Sequence, residues 1–286
     1  MPGKLYVVAT PIGNLSDMTP RGVQILSDVD MIAAEDTRHS KVLLAHFGIR
    51  TPLFSCHKFN EEKRGDFFLK ALEEGKNIAL ISDAGTPCIS DPGHKLVNLA
   101  AANQVEVIAV CGANAASAAL SVSGFDVSKF VFLGFLPRKP KELTEIFHNM
   151  GENWPIVFYE SPLRITKTIA HIAKDYPAAD ICLCNDLTKK FERTYRGNPA
   201  TVLAELQENP SAQKGEYTCV VQLNKENSDV ETQPEESISL EAQLIDIVTK
   251  QNVTIKEATN ILHQQDKNTN KKAIYAASLR LKELLK

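Results

Sequence analysis

Segment 82–93, SDAGTPCISDPG, holds the densest set of residues in the chain that could bind a polar ligand. Gly85 and Gly93 would let a ligand approach the backbone closely, and two prolines restrict the loop between them. Hydroxyl and carboxylate groups are supplied by Asp83, Thr86, Ser90 and Asp91. The segment matches neither the P-loop motif GxxxxGK[ST] nor the dinucleotide-binding motif GxGxxG. Nucleoside triphosphate hydrolysis and ordinary nicotinamide binding are therefore disfavoured.

Four further polar or glycine-bearing segments also follow short apolar runs. They are TPIGN (10–14), EDTRHS (35–40), CHKFNEE (56–62) and CGANA (111–115). The apolar runs predict strands at 5–9, 31–34, 52–55, 77–81 and 106–110, with amphipathic stretches between them that are typical of a parallel sheet covered by helices. Ligands bind at the carboxyl edge of such sheets, so five polar segments there predict a binding site; ordinary turns are the simpler explanation for any one of them.

A second unit is predicted from residue 124 onward, with more strand and less helix. Strands are expected at 130–135, 155–159, 180–184, 191–196 and 217–223, and helices at about 138–150, 162–174 and 199–208. This predicts a mixed sheet. The resulting domains are 1–123 and 124–224 (both α/β), an acidic linker at 225–238, and a small helical domain at 239–286. The helical tail carries a net charge of about +3, which suits either a nucleic-acid contact or a solvated lysine face.

Composition limits the classes of function. The chain of 286 residues has 32 Lys plus Arg, 35 Asp plus Glu and a net charge of -3, so any nucleic-acid contact must use a local basic patch. Six cysteines show no CxxC spacing, which favours a reducing compartment over a disulfide framework or zinc knuckle. Since no signal peptide or membrane span is recognisable, we expect a cytoplasmic protein.

The motifs LYVVATPIGNL, AAEDTRHS, ISDAGTPCISDPG, GFLPRKP, FYESPLR, LTK and KGEY carry a family resemblance. Over about residues 4–223 the chain resembles the ribosomal RNA small-subunit methyltransferase I branch of the tetrapyrrole methylase superfamily. The resemblance implies two α/β domains, S-adenosylmethionine as cofactor, and a homodimer. It also implies 2′-O-methylation of a cytidine ribose in the decoding region of 16S rRNA, presented as RNA or as the small ribosomal subunit. A tetrapyrrole carbon methylase and a non-catalytic ribosome-binding homologue are the alternatives.

The same resemblance implies a donor site and, by position, catalytic candidates. The implied cofactor-binding residues are Pro11, Gly13, Gly85, Thr86, Pro87, Ile89, Ser90, Asp91, Gly112, Asn114, Ala115 and Leu187. Asp36 matches the acidic residue proposed as the base in related methylases. Apart from the resemblance, His57 at the end of the third predicted strand and Glu160 on the second-domain side of the cleft are further candidates for this role. The structural alternatives are ion pairs of Glu35 with Arg38 and of Glu160 with Arg164, and a hydrogen-bonded His57.

Cationic side chains near the predicted cleft could bind RNA phosphates. The candidates are Arg38, Arg138, Lys139, Arg164 and Lys189. Phe59 and Tyr159 could stack a splayed base or could simply be core residues. Asp91, just before an apparent helix start, suits a helix cap, and with Glu35, Asp36 and Asp83 it could in principle hold Mg²⁺, although no metal is expected.

Overall fold

The computed structural model describes residues 1–150, 154–224, 240–251, 253–265 and 271–284. The chain divides into two compact units, Met1–Glu226 and Asn227–Lys286. The predicted acidic linker, 225–238, lies outside the described residues, and the predicted domain boundaries stay predictions.

The first sheet is entirely parallel, as predicted. Its strands are β1 (Leu5–Val8), β2 (Met31–Ala34), β3 (Leu53–Ser55), β4 (Ile78–Ile81) and β5 (Val107–Val110). They lie in the order β3-β2-β4-β1-β5, and every pairing is parallel. Each strand agrees with its predicted range to within one residue at either end, because short apolar runs bounded by turn residues are a strong strand signal.

Helices cover both faces of this sheet. The helices of this part of the chain are α1 (Pro20–Asp28), α2 (Thr37–His46), α3 (Glu61–Glu73), α4 (His94–Ala102) and α5 (Ala115–Ser123). Successive strand residues point to opposite faces. Ile32 therefore packs in the cluster with α1 and α2, whereas Ala33 packs in the cluster with α3 and α4. The result is a three-layer arrangement whose polar loops all leave the sheet at its carboxyl edge.

The second sheet is mixed, which confirms the prediction. Its strands are β6 (Val131–Phe135), β7 (Ile156–Glu160), β8 (Asp180–Asn185), β9 (Arg193–Gly197) and β10 (Tyr217–Gln222). They lie in the order β6-β7-β10-β8-β9, with β6 parallel to β7 and the other pairs antiparallel. The accompanying helices, α6 (Pro140–Met150), α7 (Ile165–Asp175) and α8 (Pro199–Glu208), pack on one face of it.

Helix α5 covers the opposite face of the second sheet. Ala116, Ala119 and Leu120 are buried in one cluster with Val157 and Val220 of that sheet. Because β5 ends in the first sheet at Val110, segment 111–114 passes from one sheet to the other. This crossing brings the carboxyl edge of the first sheet next to the second.

The remaining unit is helical. Helices α9 (Leu240–Gln251), α10 (Ile255–Gln265) and α11 (Lys271–Leu284) share a core that includes Leu244, Ala258 and Ile274. Arg280 and Glu241 join α11 to α9 through an ion pair of 2.7 Å. Within the described parts of both units, no helix has the length and apolar character needed to cross a membrane.

Candidate functional site

A cavity of about 300 Å³ lies where the loops of the first sheet meet strand ends of the second. The first sheet contributes the loops after β1, β4 and β5, and the second contributes the ends of β6, β7 and β8 and the start of β10. Since β10 is antiparallel to β7 and β8, its first residues lie at the same edge as their last residues. The cavity is lined by Ile12, Ala84, Gly85, Thr86, Ile89, Ser90, Asp91, Asn114, Ala115, Phe135, Tyr159, Glu160, Ser161, Pro162, Leu187, Glu216, Tyr217 and Thr218.

Most of the residues predicted to bind the cofactor line this cavity. They are Gly85, Thr86, Ile89, Ser90, Asp91, Asn114, Ala115 and Leu187. The other four do not line the cavity but belong to the same loops as residues that do. They are Pro11, Gly13, Pro87 and Gly112. A role in cofactor binding stays a prediction for all of them.

Hydrogen bonds tie the three loops of the first sheet together. Thr10 and Gly85 exchange two backbone hydrogen bonds, of 2.8 and 3.0 Å. The Thr86 hydroxyl donates to the carbonyl of Ala113 at 3.1 Å. Cys88 and Ser90 have φ angles of 70° and 68°, which are unfavourable for residues with a side chain and are tolerated where the surroundings hold them. The loop after β4 is therefore a fixed and strained part of the wall.

The loop after β8 is built in a similar way. Asp186 and Thr188 have φ angles of 52° and 66°. Lys189 reaches back to Asp186 and to Glu216, with N–O distances of 2.8 and 2.7 Å. A Cβ atom on Gly13 would lie 2.4 Å from Cγ of Lys189, so the loop after β1 packs directly on this lysine. Lys189 thus joins three segments around the cavity, and its predicted contact with RNA stays a prediction.

Asp91 is a cavity carboxyl with an unusual environment. Burial, and then the neighbouring charge of Glu35, raise the pKa of Asp91 to about 6. Burial, followed by the charge of Asp83, also raises the pKa of Glu35. The helix-cap hypothesis for Asp91 is wrong, because α4 begins at His94 with Gly93 at its N-cap and without a side-chain cap. Among the described residues, no three His, Cys, Asp or Glu side chains are placed to hold a metal ion.

The Asp36 carboxylate is hydrogen-bonded within the first turn of its own helix. Its carboxylate caps α2 by accepting the Arg38 backbone N–H at 2.8 Å and also binds the Arg38 guanidinium at 3.1 and 2.6 Å. These bonds hold the pKa of Asp36 well below its usual range. The expected pair between Glu35 and Arg38 is therefore wrong, because Arg38 pairs with Asp36. Asp36 does not line the cavity.

His57 and Glu160 are also hydrogen-bonded. His57 Nδ1 accepts the backbone N–H of Phe59 at 3.2 Å, as the structural alternative for this residue requires. The Glu160 carboxylate is fully buried and accepts hydrogen bonds from the Ser161 N–H at 2.7 Å and the Thr168 hydroxyl at 2.9 Å. Its pairing with Arg164, at 3.0 Å, is confirmed. Their catalytic roles stay predictions.

The remaining predicted RNA contacts differ in exposure. Arg38 and Arg138 are exposed, and Lys139 is exposed while pairing with Glu142 at 2.8 Å. Arg164 is largely occupied, because one of its nitrogens also donates to the carbonyls of Leu136 and Pro137. Whether these cations bind RNA stays a prediction.

The two aromatic candidates lie in different environments. Phe59 is 90% exposed, so the core interpretation is wrong for it. Tyr159 lines the cavity, and its hydroxyl accepts the Ala116 N–H at 3.3 Å.

The second-sheet half of the wall was largely missed at the sequence level. Six residues that line the cavity were not predicted from the sequence to bind or react with a ligand. They are Phe135, Ser161, Pro162, Glu216, Tyr217 and Thr218. Their motifs, GFLP, ESPL and KGEY, were recognised. The signal that could have found them is strand polarity. GFLP and ESPL lie at the ends of β6 and β7, and KGEY lies at the start of β10, which is antiparallel to β7, so all three motifs lie at the same edge.

Gly134 in β6 allows a prediction about how the two halves of the cavity fit together. Its φ is 60°, and an added Cβ would lie 2.7 Å from Oγ of Ser90. We expect Gly134→Ala to destabilise the fold by about 1–3 kcal/mol, measured by urea unfolding. Gly48→Ala is the matched control, since Gly48 has φ 70° with no neighbour within 4 Å. The contact between residue 134 and Ser90 is not tight if Gly134→Ala and Gly48→Ala lower the free energy of unfolding equally. The same conclusion follows if adding Ser90→Ala to Gly134→Ala restores none of the lost stability.

Comparison with known proteins gives a consistent result. The tetrapyrrole (corrin/porphyrin) methylase family matches residues 4–203. A ribosomal RNA small subunit methyltransferase I of Pasteurella multocida is 41% identical over 245 residues, which cover 84% of this chain and 87% of that protein. The protein of the same name from Xylella fastidiosa is 44% identical over 223 residues, covering 77% and 82%.

Solved structures show the same fold at low identity. A cobalt precorrin-4 methyltransferase superimposes with a TM-score of 0.56 at 15% identity, covering 76% of this chain and 94% of that one. A diphthine synthase gives a TM-score of 0.58 at 14% identity, covering 76% and 88%. The family match covers nine of the ten strands of the two sheets, whose loops line the cavity between them. The chain therefore belongs to the tetrapyrrole methylase family.

Proposed function

We propose that the protein is an S-adenosylmethionine-dependent methyltransferase that methylates the ribose 2′-hydroxyl of a cytidine in the decoding region of 16S rRNA. The observation that carries the proposal is the similarity, at 41–44% identity over about four fifths of both chains, to proteins named ribosomal RNA small subunit methyltransferase I. The cavity supplies a place for the reaction within the part of the chain that matches.

The residues of the cavity fit such a donor. Its volume, about 300 Å³, is at the lower end of the range for small-molecule sites. Ala84, Gly85, Ala115 and Leu187 form a small and mostly apolar part of the wall, suited to an adenosyl group, and Asp91 offers a negative charge to a cation. When bound, S-adenosylmethionine supplies an electrophilic methyl group on a positively charged sulfur.

The chain's own contribution is to position the hydroxyl and to accept its proton. Positioning supplies much of the acceleration in such displacements. We infer that Asp91 accepts the proton, because it lines the cavity and its pKa of about 6 leaves it ionised but more basic than an ordinary carboxylate at neutral pH. Asp36 and His57 lie outside the wall and Glu160 is engaged by Arg164, which supports Asp91 over the three earlier candidates.

From the family resemblance we propose a homodimer that acts on 16S rRNA or the small ribosomal subunit. The six free cysteines support a reducing compartment, and we propose the cytoplasm. Light scattering after size-exclusion chromatography tests the dimer, for which the expected mass is twice 31.5 kDa. A mass of one chain at micromolar concentration would contradict it.

The function is tested by transfer of a tritiated methyl group. Small subunits from cells lacking the gene should accept label from S-adenosylmethionine, whereas subunits from cells that carry it should accept little, because their site is already methylated. Mass mapping of the labelled RNA should place the group on a cytidine ribose. Label in a porphyrinoid but not in RNA would favour the tetrapyrrole alternative, and absence of S-adenosylmethionine binding in calorimetry would favour a non-catalytic homologue.

A further inference from the structure

Phe135 combines a position in the cavity wall with wide exposure. Its side chain lines the cavity and is 63% exposed, whereas Leu187 in the same wall is 8% exposed. It is the last residue of β6, at the edge of the second sheet that faces the first. Phe135 therefore forms part of the rim, where a ligand from solvent would meet the cavity.

A β-bulge directs this side chain. From Phe132 to Phe135 strand β6 advances three residues while its partner β7 advances two, from Val157 to Tyr159. Bulges of one extra residue re-aim side chains and are frequent beside active sites. The turn of the backbone depends on Gly134, with φ 60°, which packs against Ser90 of the first sheet's loop. The orientation of Phe135 is thus set jointly by both halves of the molecule.

An anchored aromatic ring supports Phe135 from one side. The rings of Phe135 and Tyr159 meet edge-on, with centroids 5.6 Å apart and an interplanar angle of 63°. Tyr159 also contacts Phe132 at 5.2 Å, and its hydroxyl accepts the Ala116 N–H. With Tyr159 held at both its ring and its hydroxyl, Phe135 is supported while much of its surface stays open to solvent.

The loop that follows Phe135 is also held in place and carries positive charge. Arg164 donates hydrogen bonds to the carbonyls of Leu136 and Pro137, at 3.0 and 2.8 Å. Arg138, exposed, comes three residues after Phe135. An exposed aromatic ring followed by an exposed cation on a fixed loop is the combination that holds single-stranded RNA, in which bases stack on rings and phosphates meet cations.

We propose that Phe135 is the stacking platform for the base of the acceptor nucleotide, presented unpaired at the rim of the cavity. This inference rests on the proposed function and specifies which surface recognises the RNA. The acceptor base must reach its site from solvent, and unstacking it costs free energy that a new stacking contact offsets. The donor's adenine is the competing partner for the same ring, and the experiment separates the two.

The test compares Phe135→Ala, Phe135→Leu and Phe135→Trp in the full chain. Steady-state methylation of unmodified small subunits gives kcat and KM for RNA, and calorimetry gives Kd for S-adenosylmethionine. For Phe135→Ala we expect kcat/KM for RNA to fall by about 10- to 100-fold, with the donor Kd changed less than about twofold. Phe135→Trp should stay close to wild type and Phe135→Leu should resemble Phe135→Ala. Phe130→Ala is the matched control, since Phe130 is 47% exposed just before the opposite end of the same strand.

Several outcomes overturn the inference. If Phe135→Ala weakens S-adenosylmethionine binding as much as it lowers kcat/KM for RNA, Phe135 stacks on the adenine of the donor and not on the RNA base. If Phe135→Leu has wild-type activity, the residue contributes only apolar packing. If the wild-type protein transfers no methyl group, the proposed function fails, and Phe135 is then judged by fluorescence anisotropy with a labelled single-stranded RNA of the decoding region. In that assay about tenfold weaker binding by Phe135→Ala supports the platform, and equal binding overturns it.

Discussion

Asp91→Asn is expected to lower kcat for methyl transfer at pH 7.5 by about 100- to 10,000-fold, the usual contribution of a general base. Asparagine keeps the shape of the side chain but cannot take the proton of a hydroxyl. If Asp91 is the base, kcat at saturating donor falls, whatever change the lost negative charge makes to the donor Kd. If it serves only as a counter-charge for the bound donor, the donor Kd rises and kcat at saturation is maintained. Single-turnover rates with saturating donor distinguish the two roles.

The pH dependence provides an independent check. The pKa of Asp91 in the ligand-free protein is raised to about 6, so wild-type kcat/KM, which reports ionisations of the free protein, should rise with pH through that value and then level off. Asp36→Asn is the matched control, because Arg38 holds the pKa of Asp36 far below this window. A larger loss in Asp36→Asn than in Asp91→Asn would return the role of base to Asp36.

At pH 8, Asp91→Asn should make the folded protein more stable although it lowers activity. Because the folded pKa of Asp91 lies above the ordinary value of 3.8, the folded state binds more protons between about pH 4 and 6, and its stability falls as pH rises through that window. Asp91→Asn removes this cost, so its melting temperature at pH 8 should exceed that of the wild type by a few degrees. At pH 4 the difference should disappear. A lower melting temperature in the variant at pH 8 would contradict the origin of the shift.

Arg164→Ala is expected to destabilise the fold by about 3 kcal/mol, because it leaves the Glu160 carboxylate buried without its charge partner. The Glu160 side chain is fully buried, and the same arginine also binds the Leu136 and Pro137 carbonyls. Urea unfolding measures the loss. Arg138→Ala, at an exposed position nearby, should change stability by less than about 0.5 kcal/mol.

The double variant Glu160→Gln with Arg164→Ala sharpens this prediction. Removing the charge of Glu160 should make the loss of Arg164 less costly, so the two changes together should cost less than their sum. Additive losses would mean that the pair is not coupled. If Arg164→Ala keeps wild-type stability but loses RNA binding, the sequence-level hypothesis of an RNA contact holds and the structural role does not.

Much of the fold followed from local patterns. Strand β2 occupies the predicted residues 31–34, and the mixed character of the second sheet was evident from the short spacing of its strands. The segment 82–93 was recognised as a ligand loop because it concentrates glycine, proline and short polar side chains. Such signals are readable because strand formation and turn chemistry depend on residues close together in the chain.

The chemistry of the site depended on the tertiary structure. Asp91 acquires its raised pKa from burial and from Glu35, which is far away in sequence, and Glu160 is occupied by Thr168 and Arg164. Phe135 enters the wall through a bulge that forms only when β6 pairs with β7. Amino-acid order determined which strands and loops form. Which carboxyl lines the cavity with a raised pKa and which ring faces the cavity were decided by sheet order and burial. Desolvation and charge interactions act through space between segments that are distant in the chain.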